Sequence, residues 1–148
     1  MLSPELDAAG TEALFERGDF CSASIHNGQI VGHTFYSRHD TQVRPGLVFL
    51  VPDQHSYSFK GFTSAKHRGR KLEPERWKAA RAHSIKIWGT EPPRVFYVNV
   101  ANLESLAAGE MSETKILGHC AYARLFGKLF TYNSRSCQKH GTGFALTN

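Results

Sequence analysis

The chain has no apolar run approaching about 18 residues, so a membrane-spanning helix is not expected. Its N-terminus, Met1-Leu2-Ser3-Pro4-Glu5-Leu6-Asp7, has neither a basic n-region nor an apolar h-region, so a secretory signal is not expected. Cysteine is scarce. Cys21, Cys120 and Cys137 are odd in number and widely spaced, which excludes a disulfide framework and suits free thiols in a reducing cytoplasm. There is no Walker A pattern and no G-x-G-x-x-G, so P-loop and dinucleotide readings fall away. The histidines form no H-E-x-x-H and no close Cys/His pair, so no metal site is expected. No internal repeat is visible.

What is present describes an ordinary globule. The 148 residues, 41% hydrophobic and 21% charged, suit one domain over 1–148. Residues 1–19 read as a short leading segment. The polar, Gly/Ser-rich stretch from Asn133 reads as a flexible tail over 133–148. The net charge is +5, and it is unevenly spread. Residues 60–89 are strongly basic, while the first twenty carry more acid than base. That asymmetry argues for a local anion site over a diffuse coating.

Residues 5–16 suit a short helix with Leu6, Ala9, Ala13 and Leu14 on one side, broken by Gly18-Asp19. Strands are expected over 20–26 and 30–37. Asn27-Gly28 is the hairpin turn between them, and Gly32 marks a bulge. Residues 39–46 read as a loop, 47–51 as an apolar strand stopped by Pro52, and 56–63 as another strand. A helix over 73–88 carries Pro74 in its first turn beside Glu73 and Glu75 and ends at Gly89. Leu72, Trp77, Ala80, Ile85 and Trp88 are its expected core contacts. After Pro92-Pro93, a strand is expected over 94–100, a brief helix over 102–108 and a strand over 115–125. Residues 126–132 extend that strand or form an edge strand. This order is α/β, or α+β, with one right-handed crossover near 57–100.

The informative segment lies between the strand ending at Thr63 and the helix from Glu73. Lys66, His67, Arg68, Arg70 and Lys71 crowd a short loop around Gly69. Amides at a helix N-terminus lack intrahelical partners, and the helix dipole favours an anion there. The loop therefore suits a diphosphate; otherwise its charges only solvate an exposed turn.

The run Phe62-Thr63-x-x-x-His67-Arg68-Gly69-Arg70-Lys71-Leu72 resembles the acyl-CoA-binding motif of the GNAT superfamily of N-acetyltransferases. Val98-Asn99-Val100-Ala101-Asn102-Leu103-Glu104-Ser105-Leu106 resembles the family's next strand and Asn-x-x-Ser helix start. The resemblance covers roughly residues 20–130. It implies a central mixed, mostly antiparallel sheet with helices on both faces. It implies acetyl-CoA, or another acyl-CoA, as cofactor and an amine as acceptor, attacked directly. Phe62 and Thr63 would lie along the pantetheine, and the amides of His67, Arg68, Gly69, Arg70, Lys71 and Leu72 would hold the diphosphate. Asn102 and Ser105 would sit near the pantetheine or adenosine portion. Lys66 and Lys71 depart from the family pattern, and Gly109 stands where a general-acid tyrosine is often found. Asp53 and His55 are candidate bases, or a polar kink after Pro52. Cys120 and Tyr122 are candidates to approach the thioester, though Cys120 reads first as a small buried hydrophobe. The short segment before the first hairpin suggests that another subunit completes the acceptor wall, hence a homodimer. Two alternatives remain: an inactive CoA- or phosphate-binding module of the same fold, and a small basic nucleic-acid-binding protein. No membrane partner is expected.

Overall fold

The computed structural model describes residues 8–111 and 114–147. In chain order the elements are α1 (Ala8–Glu16), β1 (Phe20–His26), β2 (Gln29–Ser37), β3 (Thr41–Arg44), β4 (Leu47–Leu50) and β5 (Ser56–Thr63). A 3-10 turn (Ala65–His67) precedes α2 (Leu72–Trp88), β6 (Arg94–Val95) and α3 (Leu103–Met111). β7 (Cys120–Leu125), β8 (Lys128–Asn133), α4 (Arg135–Lys139) and β9 (Gly143–Leu146) complete the chain. Residues 5–7, where the first helix was expected to begin, lie outside the described residues. The chain divides into two compact units. One runs to Arg38 and resumes over Gln54–Arg94; the other joins His39–Asp53 to the residues from Val95 onward.

The first unit is built on antiparallel β1, β2 and β5, in a sheet ordered β1-β2-β5-β6. Asn27 (φ 50°) and Gly28 (φ 75°) make the β1–β2 turn in the left-handed conformation both tolerate. The ladder is irregular beyond Ser24, opposite Gly32, where the sequence places a bulge. Gly32 has a second reason to be glycine: a Cβ there would sit 2.5 Å from Nη1 of Arg76.

On α2 the buried residues are Arg76, Ala80 and Ser84, one per turn along a narrow stripe. Ala80 packs with Phe20 and Tyr36, and Trp88 closes that cluster. The Phe20 and Tyr36 rings stack at 5.0 Å. Trp77 and Ile85 are corrected from core to surface, at 44% and 49% exposure. Each is one position round the helix from the stripe. Trp77 instead lies beneath the Arg94 guanidinium, 4.9 Å from its ring centre. The sheet also buries Phe35, Tyr57 and Phe59, with the last two rings stacked at 5.1 Å.

The second unit contains the antiparallel sheet β3-β4-β9 and the hairpin β7–β8. Several expectations are corrected here. Residues 41–44, read as loop, form β3, because β4 offers an antiparallel ladder to Thr41 and Gln42. The strand expected over 94–100 is reduced to Arg94–Val95. Its apolar run continues as Phe96 and Val98, but the ladder does not. The strand expected from 115 starts at Cys120, and 126–132 turn back as β8 rather than extending β7.

Where a frayed tail was expected, the described residues instead form α4 and β9. Ser134 caps α4 by accepting the Cys137 amide, and β9 pairs along β4 from Leu47↔Leu146 to Leu50↔Gly143. The Asn133 amide nitrogen donates to the Phe144 carbonyl at 2.9 Å, and its oxygen accepts the Phe144 amide at 2.8 Å. Phe144 is thereby held against Phe49, Tyr97 and Tyr122. Polar composition hid this strand because one buried aromatic and one asparagine side chain secure it.

Candidate anion-binding site

The site forms where β5 hands the chain to α2. The Ser64 amide still bonds back to the Val31 carbonyl at 2.8 Å, so the strand is anchored to its end. The chain then tightens into the 3-10 turn. The His67 amide donates to the Ser64 carbonyl at 2.8 Å and the Arg68 amide to the Ala65 carbonyl at 3.4 Å. Ser64 Oγ and His67 Nδ1 share a hydrogen bond of 2.7 Å, and Arg68 Nε donates to the Thr63 carbonyl at 3.3 Å. The amides of His67 and Arg68 are therefore spent inside the turn.

Beyond the turn the amides change character. Gly69 adopts φ +72°, and a Cβ built there would meet nothing within 4 Å. Glycine is needed for its backbone angle, and the space beside it is open. Lys71, the N-cap of α2, is also left-handed (φ 56°, ψ 28°), and its side chain makes no capping bond. An ammonium has no lone pair with which to accept one. Among the described residues, no backbone bond outside the regular elements takes the amide of Gly69, Arg70 or Lys71. Leu72 and Glu73 begin the helix, so their amides lack an i−4 partner, and Pro74 has none to offer. Five successive donors thus stand at the positive end of a 17-residue helix. Lys66, Arg68, Arg70 and Lys71 are exposed around them.

Two further groups shape the electrostatics. His67 is held below the usual histidine pKa, first by desolvation and then by the charges of Arg70, His26 and Lys66. The His26 ring lies 5.3 Å from it. Beneath the loop, Arg76 is 3% exposed, and its guanidinium donates to Thr63 Oγ1 at 3.0 Å and Ser24 Oγ at 3.3 Å. It enters no ion pair found among the described residues, and its Nε has no hydrogen-bond partner. Burial lowers its pKa, and Glu73 is the strongest opposing influence. Sequence reasoning passed over Arg76 as one more charge on a basic helix. Gly32, in the middle of a strand, was the available signal that something bulky crosses the sheet there.

Of the expected site residues, Phe62, Thr63 and His67 to Leu72 fall in this one segment. Phe62 is half-buried, and its ring stacks on His33 at 5.5 Å. The others lie elsewhere in the chain. Asn102 accepts the Ser105 amide at 3.1 Å as the cap of α3, in the second unit. Asp53 is exposed in the turn after β4, and His55 is half-buried just before β5. Tyr122 packs edge-on against Phe144 at 5.2 Å, and the Arg44 guanidinium lies 4.6 Å over its ring. Burial first, and then the nearby Cys137 thiol, raise the pKa of Cys120, which leaves it a poor nucleophile at neutral pH. Among the described residues, no cluster of His, Cys, Asp and Glu could hold a metal ion.

No family model matches the chain, and no curated protein matches it. Its fold is nevertheless shared with a solved structure, that of AAC(6')-Iy in complex with the bisubstrate analog CoA-S-monomethyl-acetylneamine. The TM-score is 0.60 at 13% identity, over 83% of this chain and 82% of that one. The chain therefore has the GNAT fold: a mixed α/β architecture on a mostly antiparallel sheet.

Proposed function

We propose that the chain binds acyl-CoA, acetyl-CoA in the first instance, and transfers the acyl group to an amine. The observation that carries this reading is the run of five open amides from Gly69 to Glu73, ringed by basic side chains, on a fold shared with a protein that holds a CoA-derived ligand. A diphosphate matches these donors in charge and in number. Thr63 and Phe62 would lie beside the pantetheine as β5 approaches the loop, and Asn102 and Ser105 would contribute through the start of α3. The amides of Gly69 to Glu73 would do the holding, since those of His67 and Arg68 are already bonded.

A bound acyl-CoA supplies a thioester carbonyl. The amine forms the new C–N bond as the C–S bond breaks, and the amine proton must reach a base. Asp53 and His55 are the candidates for that base. Tyr122 is offered only as a donor to the leaving sulfur. The acceptor would be a small amine, an amino acid, a peptide or a protein amine. The single-domain organisation and a homodimer belong to the same proposal.

A second reading, a module that holds CoA without turnover, is favoured by two observations. The Tyr122 ring is already engaged by Arg44 and Phe144, and glycine occupies position 109.

Binding is tested by calorimetry with acetyl-CoA on the intact chain and on Gly69→Asp. The variant puts a carboxylate beside the amides and forces a side chain into φ +72°, so affinity should fall at least about tenfold. Equal affinity in the two proteins would refute the site. Release of CoA thiol with a panel of amines then separates transfer from binding without turnover.

A further inference from the structure

We propose that the tip of the β7–β8 hairpin docks on an anionic lipid surface. The chain contains its own comparison. Asn27-Gly28 and Phe126-Gly127 close two hairpins with the same backbone, φ 50° and 75° in the first, φ 49° and 77° in the second. Asn-Gly is what this turn requires, because both residues accept positive φ. Phenylalanine does not accept it readily, and here it is also fully exposed (103%). Phe126 therefore goes against both backbone preference and water, and turn geometry does not account for it.

The surrounding surface points to the partner. By register, Ala121 faces Tyr132, Ala123 faces Phe130, and Leu125 faces Lys128. All six are exposed on one side of the hairpin, continuous with Phe126. The other side is committed: Tyr122 packs on Phe144, and Leu129 comes within 3.3 Å of where a Cβ at Gly46 would stand. The apolar side is thus presented on a braced ribbon.

Its charge has one sign. Residues 114–148 include Lys115, Arg124, Lys128, Arg135 and Lys139, with no aspartate or glutamate. Lys128 stands on the apolar side beside the Leu125-Phe126 tip, and Arg124, paired with Leu129, is exposed on the opposite side one residue before it; neither enters an ion pair found among the described residues. Aromatic and aliphatic residues at a tip, flanked by basic residues on long stems, match the boundary between headgroups and acyl chains. A second copy would bring like charges together, and a nucleic acid gains nothing from leucine at the tip. The contact is peripheral, and it departs from the expectation of no membrane partner.

The test is co-sedimentation of the full chain with vesicles of phosphatidylcholine, pure or with about 30 mol% phosphatidylserine. The wild type should bind the anionic vesicles and release at high salt. Phe126→Asn should reduce that binding about tenfold while leaving the circular-dichroism melt intact, because it restores the residue the turn prefers. A paired Arg124→Gln, Lys128→Gln variant should lose its preference for anionic vesicles. The proposal fails if the wild type ignores them or if Phe126→Asn binds equally well. It also fails if Phe126 instead governs self-association without lipid, or retention of a single-stranded oligonucleotide.

Discussion

Arg76 and Gly32 act as one device. A guanidinium lies across the sheet where a strand glycine leaves room, and two hydroxyls hold it. Gly32→Ala puts a Cβ within 3.0 Å of the Phe62 carbonyl as well as against Arg76. It should lower stability by about 1–3 kcal/mol, read from urea unfolding with an unchanged m-value. His67 makes a prediction of a different kind. Its folded pKa is depressed, so in the free protein it binds fewer protons than in the unfolded chain, and its contribution to stability is lost as pH falls through that pKa. A bound diphosphate would favour the imidazolium. CoA affinity should therefore rise from about pH 8 to about pH 6, and His67→Gln should flatten that dependence in calorimetry. A wild-type affinity that is constant over this range would remove His67 from the site.

At the scale of the element, α2 combines a good start with a poor cap. Glu73, Pro74 and Glu75 suit a first turn, while Lys71 adopts a left-handed backbone and caps nothing. Lys71→Gly should relieve the backbone and stabilise the protein by about 1 kcal/mol in thermal unfolding. The same change removes a cation, so CoA should bind more weakly. A variant that gains stability and keeps full affinity would show that Lys71 does not face the anion. The helix also shows what the sequence made legible. Its limits came out within a residue, because Pro74 and Gly89 punctuate it. Its buried face came out in part: Ala80 and Trp88 are in the core as expected, but arginine and serine complete the stripe where Trp77 and Ile85 seemed the better candidates. The open amides were readable as a loop before a helix. That His67 and Arg68 spend theirs in a 3-10 turn was not, since no residue type marks such a turn.

At the scale of the molecule, the mixed architecture followed from the ordered strands and helices, and its fold is that of a protein solved with a CoA-derived ligand. The short strands were harder to read: β3 and β9 exist because β4 lies between them, a pairing that local pattern does not contain. The excess of 18 basic over 13 acidic residues adds a whole-molecule expectation. Acetyl-CoA affinity should fall steadily as ionic strength rises from about 0.05 to about 0.5 M, measured by titration calorimetry. Salt-independent binding would argue against a phosphate contact.

The pairing of β4 with β9 has a consequence for synthesis and damage. Thr142 bonds the Leu50 carbonyl across 92 positions of chain, so closing this part of the core takes a long-range search. A protein nicked ahead of Gly143 would leave β4 an open edge, with Leu47 and Phe49 uncovered beside it. Such fragments should scatter light and co-aggregate where the intact chain stays clear.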